Sequence, residues 1–386
     1  MRPINRYPVL GFLFRHFHWR QQETLSCIVA ALIECGAARS ISIASVLAEW
    51  FKIRTDSALN RFYRLLRNPR IHDIELSKSF LGMLAHRLGR QLIIAVDWTE
   101  WHSDNRMLSA CVVTDKRAIP VHVAAFHKTS MPTSQNVREN NFIKLLAMIL
   151  KELGLRTILL CDRGFRRVSW LSLLQKCNLD FVVRLVDDVH VQLYEGAPRR
   201  ALSAMGLVPG SVKDLGWVGL RQDSAVTVRV VGVWHPGAKE PWWLATSLDD
   251  DVKTIVAYYD RRMTIEEQFR DTKGKRFGVK LGWTQFKDPE HLARVALLVG
   301  ISIFVWMAVG IARSEQHPSS RLIDRIKGPR FSYVTIGIHN MGWARQHMRL
   351  NFKNLTALLL PPNLRLFEWI DYAQYQPLGA SNANFK

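Results

Sequence analysis

Three acidic residues and one string of side chains hold the chemistry available to this chain. Asp97 closes an apolar run over 92–96, Asp162 closes another over 157–161, and Glu266 lies among Arg262, Glu267 and Asp271. Taken singly, each reads as a turn former, a helix cap or part of a solvated face. Taken together they read differently. Neighbouring parallel strands bring their C-terminal ends side by side, so carboxylates far apart in sequence can share ions. Hard oxygen ligands that leave coordination positions open suit Mg²⁺ or Mn²⁺. Two such ions about 3.5–4 Å apart can activate a water or a 3′-hydroxyl and stabilise the leaving oxygen of a phosphodiester. Around the third acid, Tyr259, Arg262, Glu266 and Lys273 step by 3, 4 and 7. That spacing predicts one face of a long helix running from about 252 past 273, with the acid toward metal and the phenol, guanidinium and ammonium toward phosphates.

Hydrophobic periodicity supplies the elements that must position these groups. β-rich runs at 92–98, 108–114 and 119–126 predict a three-stranded meander. Phe142, Leu145, Leu146, Ile149, Leu150 and Leu153 mark a helix. A strand at 157–162, a helix around 170–174 and a strand at 181–185 follow. The order β-β-β-α-β-α-β is that of the RNase H fold: α/β, a mixed five-stranded sheet with flanking helices. β-like runs over about 186–247 read as an insertion within it.

Upstream, Ile43, Val46, Leu47, Trp50 and Phe51 share a helical face, and a second helix runs from Thr55 or Asp56 to the stop at Asn68-Pro69. Two short helices and a tight turn resemble a helix-turn-helix. Arg61, Arg64 and Arg67 form a basic stripe on the second that could lie along phosphates, or could be a solvated face. Downstream, residues 314–320 read as a linker. The tail over 321–380 reads as basic helical pieces with Arg321, Arg325, Lys327, Arg330, Arg345, Arg349 and Lys353.

Composition narrows the class. The 386 residues are 48% hydrophobic and 22% charged, with no repeat or low-complexity tract, which excludes large-scale disorder and a repeat array. Lys and Arg number 53 against 33 Asp and Glu, so the net charge of +20 favours a polyanionic partner, nucleic acid first and anionic membrane second. Five cysteines without a Cys-x-x-Cys pair read as reduced thiols of a cytosolic protein, and no secretory signal is visible. The uncharged stretch 295–312 is just long enough to span a membrane but reads as a buried core helix, so no membrane partner is expected. Glu100, Asp104, His102 and His127 lack the spacing of a metal site.

Tyr-(2)-Arg-(3)-Glu-(6)-Lys at Tyr259, Arg262, Glu266 and Lys273 resembles the signature of DDE transposases from bacterial insertion sequences. Val96-Asp97-Trp98-Thr99 resembles that family's first-aspartate block, and Cys161-Asp162-Arg163-Gly164-Phe165 the second. The run from Glu240 to Ser247, with Trp242 and Trp243, resembles the end of the β insertion in the hairpin-forming, cut-and-paste branch of the insertion-sequence-four family. The resemblance covers nearly the whole chain, most specifically 90–165 and 240–280. It implies that Asp97, Asp162 and Glu266 are catalytic and hold two Mg²⁺ or Mn²⁺ ions. Tyr259, Arg262 and Lys273 would contact DNA near the cleaved end. Trp242 would stack on a base flipped out as a hairpin forms, while Trp243 reads as a core strand residue. Arg163 could touch phosphate or cap the sheet edge.

The expected protein is thus a DNA transposase. A helical domain over 1–85 would recognise the transposon end. A catalytic core over 86–185 and 249–313 would be interrupted by a β insertion at 186–248, and a helical basic region would occupy 314–386. Its partners would be double-stranded DNA bearing terminal inverted repeats, then target DNA, and a second copy of the chain in a synaptic dimer, in the bacterial cytoplasm on nucleoid DNA. Two rivals share the features: a nuclease or resolvase of the same fold that cuts without joining, and a non-catalytic DNA-binding relative.

Overall fold

The computed structural model describes residues 7–101, 104–115, 117–129, 135–221, 225–274, 279, 281, 286–316, 331–348 and 350–359. Of the expected features, residues 317–320 of the linker, Arg321, Arg325, Lys327, Arg330, Arg349, His102 and the end of the tail lie outside these.

In chain order the elements are α1 (Pro8–Leu13), α2 (Trp19–Cys35), α3 (Ser40–Phe51), α4 (Thr55–Leu66), α5 (Asp73–Leu88), β1 (Gln91–Trp101), β2 (Asn105–Val113), β3 (Ala118–His127), α6 (Gln135–Glu152), β4 (Arg156–Cys161), α7 (Val168–Lys176) and β5 (Asp180–Leu185). There follow β6 (His190–Gln192), β7 (Arg200–Ala201), β8 (Val212–Arg221), β9 (Ala225–Val233), β10 (Trp242–Thr246), α8 (Val252–Asp260), α9 (Thr264–Lys273), α10 (Pro289–Gln316), α11 (Tyr333–His339), α12 (Met341–His347) and α13 (Phe352–Ala357). The β-β-β-α-β-α-β order expected from periodicity is therefore present over β1–β5. The described chain forms two compact units, one within 7–90, 98–135 and 264–359, the other within 91–97 and 136–263. Their divisions at 97/98 and 263/264 fall inside the segments expected to form one catalytic core.

The first unit is built around α10. Every residue from Val295 to Ala312 is buried, covered by β3, α2, α5 and α11 of the same unit, so the apolar stretch is a core helix. Its closest neighbour is α11. A methyl group on Gly310 would stand 1.9 Å from the Tyr333 carbonyl oxygen, and one on Gly337 would stand 1.8 Å from that of Trp306. Only hydrogen fits at either place, and the two backbones touch. At its start, α10 carries the buried Arg294, whose guanidinium donates to the carbonyls of Leu65, Leu66, Asn68 and Ile71 and to Asp73 Oδ1 at 2.7 Å. The carbonyls around the end of α4 thereby gain a donor from a residue over 200 positions away. α3 and α4 meet at a short turn in which Lys52 adopts a left-handed conformation, φ 52°. α4 buries Ala58, Phe62, Leu65 and Leu66 and leaves Arg61, Arg64 and Arg67 exposed. β2 and β3 form an antiparallel hairpin.

The second unit is a sheet in the order β1-β4-β5-β10-β9-β8-β6-β7, parallel from β1 through β5 and antiparallel beyond. The strands over 186–248, expected as a β insertion, are continuous with the core sheet. β10, the last insertion strand, pairs with β5, so the insertion lengthens the core sheet. The reason is the open edge of β5, whose unpaired N–H and C=O groups are satisfied by the next strand to arrive.

Three expectations change. β1 continues four residues past Asp97 to Trp101, with Thr99 and Trp101 buried, whereas its parallel partner β4 stops at Cys161. α10 runs to Gln316, through the start of the expected linker. The long helix over 252–273 is two helices, α8 and α9, with a 3₁₀ turn at Arg261–Met263 between them.

Candidate active site

β1 and β4 are in register from Gln91↔Arg156 to Val96↔Cys161. Asp97 and Asp162 each follow the last pair, so the two carboxylates leave adjacent parallel strands at the same height, where strands lie about 4.8 Å apart. Both are half-buried. Asp162 also caps the 3₁₀ turn Arg163–Phe165, its Oδ1 accepting from the Gly164 N–H at 2.8 Å. A methyl on Gly164 would stand 2.9 Å from that oxygen, so glycine lets the loop close on the carboxylate. The negative field at this edge acts on its neighbour: the Cys161 thiol is pushed well up, first by burial and then by Asp162 and Asp97.

Arg262, buried in the 3₁₀ turn, donates from Nη1 to Asp97 Oδ2 at 3.2 Å. Its guanidinium carbon lies 5.9 Å from the centre of the Tyr259 ring. Burial raises the Tyr259 phenol above its ordinary range, opposed by Arg262 and Arg184, so it stays a protonated donor. Trp242, half-buried on β10, meets Tyr259 edge-on with ring centres 5.1 Å apart. Trp243 is buried, as expected. Exposed Arg163 pairs with Glu240 at 3.2 Å, and Arg184 reaches the same Glu240 oxygen at 2.8 Å. The second unit thus gathers Asp97, Asp162, Tyr259, Arg262, Trp242 and Arg163.

Glu266 and Lys273 belong to α9 in the first unit, so the break at Arg261–Met263 divides the four-residue string between two helices. A mid-segment 3₁₀ turn is a common hinge position. Glu266 is half-buried in the first turn of α9. The Lys273 ammonium donates to the Thr99 hydroxyl and lies 5.8 Å from the ring centres of both Trp101 and Phe269. Burial lowers its pKa, opposed by Glu100. Arg61 and Arg64 are elsewhere in the same unit, on the wall of a groove of about 570 Å³ between α2, α3 and α4, together with Arg20 and Phe51. The Arg61 guanidinium sits over the Phe51 ring at 5.2 Å.

Periodicity missed several polar residues. Arg117 binds Glu267 and Asp271, Glu240 gathers Arg163 and Arg184, and Arg167 pairs with the buried Glu139 at 2.5 Å. Each pair spans at least 28 residues, and local spacing holds no signal for such a contact.

Two half-buried carboxylates level with each other are a fitting pair of oxygen donors for a hard divalent cation. One oxygen of each has a protein donor, Arg262 on Asp97 and the Gly164 amide on Asp162. Among the described residues no group of three or more His, Cys, Asp or Glu side chains stands close enough to hold a metal ion.

Residues 88–304 match the family model described as "Transposase DDE domain". No curated protein matches the sequence. Among solved structures, the chain is similar to a piggyBac transposase synaptic complex with hairpin DNA, at 11% identity and a TM-score of 0.40, covering 91% of this chain and 75% of that one. It is also similar to the catalytic domain of human Endonuclease V, at 16% identity and a TM-score of 0.27, covering 64% of this chain and 96% of that one.

Proposed function

Because the chain belongs to the transposase DDE domain family, we propose that it excises an insertion sequence and joins the freed 3′ ends to target DNA, by the hairpin route of the insertion-sequence-four family. The observation that carries this reading is the pair Asp97 and Asp162, level just past the last pair between adjacent parallel strands, with Arg262 and Tyr259 in the same unit.

In this reading Asp97, Asp162 and Glu266 hold two Mg²⁺ or Mn²⁺ ions. Divalent ions there supply an activated oxygen nucleophile and charge for the leaving oxygen of each phosphodiester step. The protein's own residues do the rest. Arg262 leaves Asp97 for a DNA phosphate, which frees a carboxylate oxygen as the substrate arrives and keeps the guanidinium paired throughout. The Tyr259 phenol, held protonated by burial, donates to a phosphate oxygen. Trp242 offers an aromatic face to a base extruded as the hairpin forms, recovering about 1–3 kcal/mol of the unstacking penalty. Arg163, tied to Glu240 on the insertion, holds the loop after β4 beside the DNA.

Arg61 and Arg64 lie along the backbone of the transposon end, and the net charge of +20 supplies the long-range attraction. A second copy of the chain brings the other end into a synaptic dimer on bacterial nucleoid DNA.

The test is a cleavage assay with Mg²⁺ or Mn²⁺ on labelled DNA carrying the element's terminal repeats, with Glu266→Gln as control and hairpins resolved on a denaturing gel. Metal-dependent cutting at the repeat boundary, passing through a hairpin and abolished by Glu266→Gln, is expected. Cutting without a hairpin removes the role given to Trp242. Binding without cutting under either metal makes the chain a non-catalytic relative.

A further inference from the structure

Glu266 sits on a ten-residue helix, too short to hold its own shape in water, so something outside α9 must fix where its carboxylate points. Arg117 is placed to do so. It follows the β2–β3 turn, which closes on itself: the Thr114 N–H and hydroxyl donate to the Arg117 carbonyl at 3.0 and 2.7 Å, and the Arg117 N–H donates to the Thr114 hydroxyl at 3.1 Å. From this fixed backbone the guanidinium reaches α9. Nη1 donates to Glu267 Oε2 at 2.5 Å and Nε to Asp271 Oδ2 at 3.0 Å.

Glu267 and Asp271 are four residues apart and share a face of the helix, one turn above the other. A single planar guanidinium that spans both leaves α9 neither free to rotate nor free to slide by a turn. The next residue around, Gln268, is buried, accepts from the Cys111 thiol of β2 and donates to Thr272. Lys273, on the Glu266 side, is tied to the Thr99 hydroxyl. The helix is thus tethered on three sides, and Glu266 stands between the tether at Arg117 and the tether at Thr99.

We propose that Arg117 is a positioning residue for Glu266: by gripping Glu267 and Asp271 together it sets the rotation of α9, and with it the direction of the third metal-binding carboxylate. The proposal rests on the transposase reading for its consequence in catalysis, and on the tethers alone for its consequence in structure.

Two measurements test it, both on the full chain. In the first, hydrogen exchange is followed over 264–273 in Arg117→Met and Arg117→Lys, without DNA or metal. Faster exchange across α9 in Arg117→Met, partly reversed in Arg117→Lys and absent from α4, is expected. Exchange unchanged from wild type overturns the proposal whatever the activity. In the second, cutting of terminal-repeat DNA and Mn²⁺ affinity in the protein–DNA complex are compared. Arg117→Met should lower kcat about a hundredfold, the scale of a misplacement near 1 Å, with KM for DNA little changed. Its Mn²⁺ affinity should fall, and Arg117→Lys should recover part of both. A kcat within about threefold of wild type overturns it. Should Arg117→Met fail to fold, the Glu267→Gln, Asp271→Asn double variant removes the other half of the grip, and wild-type kcat and exchange in that variant overturn the proposal equally. A wild-type chain that never cuts instead sinks the transposase reading and leaves the exchange result to decide on Arg117.

Discussion

In the second unit Asp97 and Asp162 hang from adjacent parallel strands whose register pairs end at Val96 and Cys161, so backbone hydrogen bonds fix their relative height. In the first, Glu266 rides on a ten-residue helix whose orientation depends on Arg117, Lys273 and Gln268. A sheet shares the load among many backbone pairs and survives the loss of any one side chain. A short helix held by side-chain tethers concentrates it in a few residues. The same contrast holds beyond the acids: unit one gives the carbonyls around the end of α4 a donor through a single arginine, and unit two extends its sheet edge strand by strand.

The largest effect should erase the contrast. Asp97→Asn, Asp162→Asn and Glu266→Gln are each expected to lower metal-dependent cutting about a thousandfold or more, read from single-turnover rates on end-labelled DNA. An acid whose loss leaves the rate within tenfold is outside the reacting centre.

Next comes the arginine that closes α4. Arg294→Met leaves four carbonyls and Asp73 without their buried donor and should destabilise the fold by about 3–5 kcal/mol in urea titration. A loss below about 1 kcal/mol would mean that unit one does not concentrate its stability in such tethers.

A pH titration sharpens the same point. His122, buried on β3 with its Nδ1 3.1 Å from the Ser77 hydroxyl, is pushed down to about 4 by desolvation. The folded state therefore favours the neutral ring. Its stabilisation is complete above the ordinary value of 6.5 and is lost as pH falls toward 4, amounting to about 3 kcal/mol. Urea midpoints between pH 7 and pH 4.5 should fall along that curve, and His122→Gln should flatten it.

The smallest effect belongs to unit two. Arg163 and Glu240 are each about half exposed, 54% and 51%, so Arg163→Ala should change stability by less than about 1 kcal/mol in the same titration.

What was legible in the sequence is what depends on near neighbours. The apolar faces of α3 and α4, the strands β1–β5 and the aspartates that close the apolar runs of β1 and β4 all announce themselves within ten or twelve residues, because burial imposes periods of 2 and 3.6. The break at Arg261–Met263 does not. The 3, 4 and 7 steps of Tyr259, Arg262, Glu266 and Lys273 read straight through it, since a 3₁₀ turn preserves near-helical spacing while changing direction. Contacts such as Arg117 with Asp271 or Arg294 with Leu66 join positions 154 and 228 residues apart. The charged residue that completes such a contact looks, in sequence, like any solvated side chain. Nor does alternation of strands show whether β10 closes an insertion or joins β5, because both leave the same pattern.

The discontinuity of the first unit bears on how the chain emerges from the ribosome. The apolar face of α2, from Leu25 to Ile33, is finally covered in part by α10, where the Trp306 indole donates to the Ile33 carbonyl. At about 5–20 residues per second, the stretch between residue 90 and residue 310 takes about 10–40 s to synthesise. The second unit, almost continuous in sequence, can assemble its sheet within that interval. The N-terminal helices meanwhile wait with a partly uncovered oily surface, and that first quarter of the nascent chain is where a holdase chaperone would be needed.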